Sequence, residues 1–569
     1  MTGHRPAQLL TASPGEKVSF TLRGSDTPDG DMLFIPGGDV RLWAVGTISP
    51  ASSVRLDPFL IDRSEVTNRE FARFVTAGGY SRPELWKHPF RDGDRTLSFD
   101  EAMTRFRDAT ARPGPAGWRL GSHPDGEEET PVSGISWYEA AAFAEFSGKQ
   151  LPTVYHWYHA DTAGDLQLLP GLTLPKANYE TSAPRAAAAT RDGSAYGAID
   201  MAGNLREWAA DTTESGRRLT LGGSWADPSY VYLLPELVAP FDRSEGNGFR
   251  CIRTVSDKPM PEELSRLLTE KPPADFASME PVSDEVFEVF TRFFERERAA
   301  LEPRIESIDE SSRHWIKQKV SYAAGYGSER MIAWLYLPRS AKPPYQVMIQ
   351  MGGAATFYRS PSSATENEIF GWSYAESLIR GGRAVLLPIW KGSYERQDGF
   401  HPFEAGRTSY RDHVLQWTAE VSQSIDYLES REDVDATKVG YQGISFGATW
   451  APLFLSLEPR LRTGTLLLGG LVARHSTAEG FPPEIQPFNY APRVKAPVLM
   501  MNGRHDPIFP YETAQLPLFR LFGTLAESKR HLTYPAGHST YGWRDHLDRE
   551  LHDWLDVQFG PVEIRRNTR

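Results

Sequence analysis

Residues 438–450 read Lys-Val-Gly-Tyr-Gln-Gly-Ile-Ser-Phe-Gly-Ala-Thr-Trp. An apolar β-type run (438–444) meets a helical stretch (448–457) at Gly443-Ile444-Ser445-Phe446-Gly447. Glycines two residues either side of Ser445 let the backbone reverse without Cβ clashes, so the serine hydroxyl is presented at a sharp strand-to-helix turn. The helix behind it offers backbone N–H groups and the positive end of its dipole to a developing oxyanion, beginning with the N–H of Phe446. Gly-x-Ser-x-Gly alone is common; the strand before it and the helix after it give the motif its meaning.

Working outward, apolar runs recur at 345–351, 383–389, 463–470, 496–503 and 529–535, separated by helical stretches such as 372–382, 413–431 and 544–559. Buried strands alternating with helices imply a mainly parallel sheet covered on both faces. Asp506 follows the run at 496–503 and His538 the run at 529–535, so Ser, Asp and His come in the order that a nucleophile-elbow hydrolase requires. His505 reads as a loop residue and His531 as structural. A second oxyanion donor is expected from Gly353 in 351–356, where Gly352 and Gly353 permit close backbone approach. Tyr394 and Arg396, after the run at 383–389, are expected at the substrate mouth.

The first 253 residues are dense in Gly, Trp and Tyr and short of long helical patterns. Helices are expected from near Thr67, with Phe71, Phe74 and Val75 on one face, and over Trp137–Ser147; the rest reads as turn-rich. From 254 the composition shifts to Pro, Lys and Glu, a linker, after which Ser283 caps a charged amphipathic helix. The expected domains are an N-terminal extension (1–29), an α+β turn-rich domain (30–253), a linker and helix (254–309) and an α/β domain (310–562).

These residues carry two resemblances. Residues 310–560 resemble the α/β-hydrolase modules attached to bacterial serine/threonine kinases, through GGRAVLLPIWKGSYER, YRDHV, GISFGA, MMNGRHDPIFP and KRHLTYPAGH. Residues 30–253 resemble the formylglycine-generating-enzyme (sulfatase-modifying factor) fold, a C-type-lectin-like architecture, through FLIDRSEVTNREFARFV, TPVSGISWYEAAAFAEFSGKQLPTVYHW, GAIDMAGNLREWAAD, LTLGGSW and NGFRCIR. No kinase motifs accompany them. The resemblance assigns two copper-binding cysteines to positions held here by Asp227 and Tyr232, which cannot replace a soft thiolate pair. It also implies a structural Ca²⁺ held through Asp200, Gly203, Leu205 and Glu207. His156 and His159, spaced i,i+3, are a poor metal motif.

Composition sets limits: 40% hydrophobic and 24% charged residues suit a soluble globular chain of several domains. The net charge is −12 with no long basic block, which speaks against nucleic acid. The single cysteine, Cys251, excludes an intramolecular disulfide. Neither a membrane span nor a secretory leader is read, so a cytoplasmic location is expected; homo-oligomerisation is left open. The expected function is hydrolysis of a small-molecule carboxylic ester or related acyl bond through a Ser445 acyl-enzyme, needing no cofactor for catalysis, with the N-terminal domain as a non-oxidising accessory. An acyltransferase or peptidase using the same triad, and a non-catalytic polypeptide-binding protein, are the alternatives.

Overall fold

The structure, a computed structural model, describes residues 31–40, 42, 48–49, 53–163, 173–189, 193–255, 261–270, 275–276, 278–296, 300–358, 374–402, 405–472, 480–506, 508–540 and 543–564. The N-terminal extension 1–29 lies outside them. The chain divides into two compact units, Met1–Pro273 with Pro535–His538, and Ala274–Tyr534 with Ser539–Arg569.

In the N-terminal unit local chemistry marks the helices. Thr67 accepts the N–H of Glu70, whose carboxylate takes the Thr67 N–H at 2.8 Å, a capping box that starts the helix Asn68–Thr76. Ser136 and Glu139 do the same for Trp137–Phe146. Another helix, Val154–Thr162, is capped by Thr153. The first two helices meet where Phe71 stacks on Phe143 at 5.5 Å. The remainder is short sheet: one of three strands, with Phe59–Ile61 central, one of four, with Arg206–Thr212 and Arg218–Leu221 at its middle, and three two-stranded pairs among the described residues. Connections outweigh regular elements, as the Gly-rich sequence implies.

In the C-terminal unit nine strands form one sheet: β1 Arg304–Asp309, β2 Trp315–Ala323, β3 Arg330–Pro338, β4 Tyr345–Met351, β5 Ala384–Ile389, β6 Val434–Ile444, β7 Gly464–Leu467, β8 Val498–Gly503 and β9 Lys529–Tyr534. Their order is β1-β2-β3-β5-β4-β6-β7-β8-β9. The first three strands and the β3–β5 pair are antiparallel, and every pairing from β5 to β9 is parallel. Helices α1 Ala375–Arg380, α2 Arg407–Glu429, α3 Phe446–Leu457, α4 Leu516–Leu521 and α5 Arg544–Phe559 connect or follow the parallel strands. β5 and β8 are buried along their whole length, as strands covered on both faces must be. α5 buries Leu547, Leu551, Leu555 and Phe559, one stripe at i,i+4.

The expected boundary at 310 moves toward the N-terminus. Phe276 stacks on Phe488, Phe287 and Phe294 pack on Tyr490, and Arg296 pairs with Asp426, so the helix Asp284–Thr291 capped by Ser283 belongs to this unit. β1 also falls inside the expected linker. All six of its residues are exposed, so it carries no apolar alternation to read.

One buried acid couples the N-terminal fold to pH. Asp211, in the strand Arg206–Thr212, accepts the N–H of Val154, the first residue of its helix, at 2.6 Å. Burial lifts its carboxyl to about 7 against 3.8 for an exposed aspartate, more than the Val154 bond and Arg218 lower it. A raised acid binds its proton more tightly in the folded chain. Its contribution is therefore fully present below pH 3.8 and is lost as the pH rises through about 7. The melting temperature of the N-terminal unit should fall over that window, and Asp211→Asn, which keeps the acceptor, should flatten the fall. Calorimetry of both proteins between pH 4 and 8 measures the difference.

Candidate active site

The turn after β6 is built as tightly as its sequence suggests. Ser445 has φ 51° and ψ −107°, a strained conformation for a residue with a Cβ, immediately before α3. A Cβ on Gly447 would stand 2.2 Å from the Met351 carbonyl oxygen, and one on Gly443 2.5 Å from the Gly447 oxygen. Neither position tolerates a side chain. The Ser445 N–H donates to Leu467 O at 2.8 Å, and Tyr441 donates its hydroxyl to Gly447 O at 2.8 Å. The nucleophile turn is thus tied to β4, to the end of β7 and to its own strand.

Parallel register brings the other loops to the same sheet edge. Ile444 pairs with Leu467, Leu467 with Met501 and Met501 with Leu532, so β6, β7, β8 and β9 end abreast. Asp506 lies three residues past β8 and is fully buried; its Oδ1 accepts the N–H groups of Ile508 at 2.9 Å and Phe509 at 3.1 Å. His538, also buried, lies four residues past β9. Gly353, two residues past β4, approaches the serine: a Cβ there would be 3.6 Å from Ser445 Cβ and 4.0 Å from Oγ. Phe446 is the first residue of α3, its ring 5.1 Å from Phe357.

The neighbouring histidines differ. Burial brings His505 down to about 4 and His531 to about 4, and His531 lies 3.2 Å from Asn502 Oδ1. Both are therefore neutral at ordinary pH.

Arg396 is a correction. Rather than facing a substrate mouth, its guanidinium is buried against Glu420, donates to Ile389 O at 2.9 Å and to Tyr326 Oη at 2.7 Å, and reaches Glu329 at 3.1 Å. Glu420 also accepts the Lys391 N–H at 3.1 Å. These bonds clamp the loop after β5 onto α2, so Arg396 positions that loop. A charged residue in a loop reads the same in sequence whether it faces solvent or an internal partner; the signal that could have found it is Glu420, an acid on the buried face of α2. Tyr394 is half-buried on the same loop, at φ 44°.

The four residues expected to hold calcium do not fit it. Glu207 is buried and gives both oxygens to Arg250 (2.6–2.9 Å), and Oε2 also accepts the Trp157 indole N–H at 2.8 Å. Its lone pairs are occupied by donors, leaving none aimed at a cation. Asp200 Oδ2 accepts the Ala188 N–H at 2.9 Å. Burial, then the charges of Asp200 and Glu207, push the Glu65 carboxyl well up, so one Arg250 cation serves this acidic cluster. Gly203 and Leu205 supply turn backbone: Gly203 at φ 76° bonds Gly222 O, and Leu205 N–H reaches Glu65 Oε1. Among the described residues no group of three or more His, Cys, Asp and Glu is arranged for a metal. Asp227, at one copper-cysteine position, pairs with Arg206 and accepts the Ser224 N–H; Tyr232, at the other, donates to Asp161. His156 is buried against Phe59 and lowered to about 3, chiefly by burial.

Fold and site define the C-terminal unit as an α/β-hydrolase, an esterase-like enzyme, and residues 367–539 match the Dienelactone hydrolase family. Residues 20–255 match the Sulfatase-modifying factor enzyme 1-like domain, and through them the chain belongs to the formylglycine-generating-enzyme family. It is 31% identical over 218 residues to the formylglycine-generating enzyme of Thermomonospora curvata, covering 32% of this chain and 71% of that protein. It is 28% identical over 247 residues to the hercynine oxygenase of Mycolicibacterium smegmatis, covering 35% of this chain and 54% of that one. Among solved structures it is similar to acetyl xylan esterase 1 from Thermoanaerobacterium sp. JW/SL YS485, with 17% identity, 49% of this chain and 95% of that chain covered, and a TM-score of 0.39. No helix among the described residues is long and apolar enough to cross a membrane.

Removing one partner of the buried Glu207–Arg250 pair strands a charge, which costs about 3–5 kcal/mol. Arg250→Ala should therefore lower the stability of the N-terminal unit by about that amount, read by urea denaturation, whereas EDTA should leave the wild-type melting temperature unchanged.

Proposed function

We propose that the chain hydrolyses a carboxylic ester through an acyl-enzyme on Ser445. The observation that carries this reading is the strained Ser445 backbone at the head of α3, held between two glycines that admit no side chain. In this mechanism the Ser445 Oγ attacks the ester carbonyl as His538 takes the hydroxyl proton. The carbonyl oxygen, now negative, rests on the N–H groups of Phe446 and Gly353, near the positive end of α3. Collapse expels the alcohol with the proton returned by His538, and the same imidazole then activates water to release the acid. Asp506 holds the histidine tautomer and stabilises the imidazolium. Two backbone N–H groups on its Oδ1, from Ile508 and Phe509, hold that carboxylate in place. No metal enters any step. The formylglycine-generating-enzyme-like unit acts as a non-oxidising accessory, since Asp227 and Tyr232 occupy the thiolate positions and are bound to neighbours.

Ser445→Ala should reduce ester turnover by several orders of magnitude with the fold intact by circular dichroism. His538→Ala should do comparable damage, and His505→Ala should stay near wild type. Steady-state rates with p-nitrophenyl acetate decide it: more than about one per cent of turnover left in Ser445→Ala would refute the nucleophile, and equal damage from His505→Ala would refute the base.

A further inference from the structure

The run Arg380-Gly381-Gly382-Arg383 ends α1 and leads into β5, and it takes no part in the chemistry proposed for Ser445. Arg383 is buried. Its Nε donates to Gln346 Oε1 on β4 at 2.9 Å, and one terminal nitrogen pairs with Asp556 on α5. The other stands 3.2 Å from Nδ1 of His552, one turn earlier on the same helix. Gln346 in turn donates to Gly560 O at 2.9 Å, just past α5. The His552 ring fills the space beside Gly381, where a Cβ would stand 2.1 Å from its Cε1. On its far side Nε2 is 3.0 Å from Ser377 Oγ on α1.

These contacts fix where the ring proton sits. A guanidinium has donors only, so Nδ1 accepts and the single proton of the neutral ring is on Nε2. Nε2 donates toward Ser377, whose hydroxyl and backbone carbonyl both face it. The Ser377 hydroxyl in turn donates to Asp548, one turn before His552 on α5. Donors and acceptors therefore alternate along Arg383, His552, Ser377 and Asp548. A second proton can enter the ring only at Nδ1, where it turns the acceptor into a positively charged donor facing Arg383.

We propose that His552 is an acid-sensitive latch: its neutral ring seats α5 on the corner between α1 and β5, and protonation at Nδ1 releases the helix. The charges around the ring divide. Burial first, then Arg383, hold the ring below its ordinary 6.5, while Asp548 and Asp556 on its own helix pull the other way and are outweighed. Asp556 is engaged by Arg383, and Asp548 by Ser377 and by Arg544 at 3.4 Å. A lowered ring contributes stability that is present above pH 6.5 and is lost as the pH falls through its folded value. Asp548, raised chiefly by burial, changes in the opposite sense, its contribution being lost as the pH rises, so it does not supply an acid release. Arg544 opens α5 six residues after His538, so the released helix is the one that anchors the segment carrying that histidine.

Backbone hydrogen exchange of the full chain, read by mass spectrometry and corrected for the intrinsic pH dependence of exchange, tests the latch without reference to catalysis. Between pH 7.5 and 5.5 the opening constant of α5 should rise about fivefold to tenfold above any change in α2; about tenfold is the most that one ring of ordinary 6.5 supplies over that interval. His552→Gln offers an acceptor and a donor on one amide and does not titrate, so it should remove most of the rise. Exchange of the imidazole C–H in the wild-type chain gives a reading that needs no variant: His552 should titrate below 6.5. No rise in α5, a rise undiminished in His552→Gln, or a His552 ring titrating at or above 6.5 would each overturn the latch.

Discussion

The C-terminal unit is organised around one backbone constraint, the reversal at Ser445. A residue with a Cβ is held at φ 51° because everything near it leaves no alternative. Gly447 lies against the β4 carbonyl at Met351, Gly443 lies against Gly447, and the serine N–H is taken by Leu467. Strain of about 1–3 kcal/mol persists only where the surroundings over-determine it. Here they are parallel strands in register and the buried head of α3. The same packing brings β4 close enough for Gly353 to face the serine, so nucleophile and expected oxyanion donor come from one contact between β4 and α3.

Charge is arranged differently in the two units. Around the hydrolase sheet it secures loops: Arg396, Glu420 and Lys391 fasten the segment after β5, and Arg460 ties α2 to the end of α3 through Asp426 and Glu458. In the N-terminal unit it fills the positions where the family resemblance implies metals. Arg250 stands at Glu207, and Arg206 pairs with Asp227. Both sets of family positions are thereby committed to protein contacts.

The legible parts of the sequence were those set by local pattern. The β4 to β9 runs and their helices carry apolar periodicity, so their order, and with it the order of Ser445, Asp506 and His538, followed directly. The helices from near Thr67 and over Trp137–Ser147 were legible from their apolar faces and glycine stops, and the structure adds a capping box at each start, Thr67 with Glu70 and Ser136 with Glu139. What pattern does not encode is the partner of a charge. Arg396 and Glu207 were read as facing a ligand because their bonds run to Glu420 and Arg250, 24 and 43 residues away. β1 was invisible for a related reason: an edge strand with both faces exposed needs no alternation.

The most direct test of the central claim is covalent. The protein is mixed with an ester whose acyl-enzyme deacylates slowly, such as p-nitrophenyl pivalate, quenched in acid during the burst and mapped by peptide mass spectrometry. The account predicts one acyl increment, located on Ser445 and absent from Ser445→Ala. Sustained turnover with Ser445 unmodified, or an increment on another residue, would contradict it.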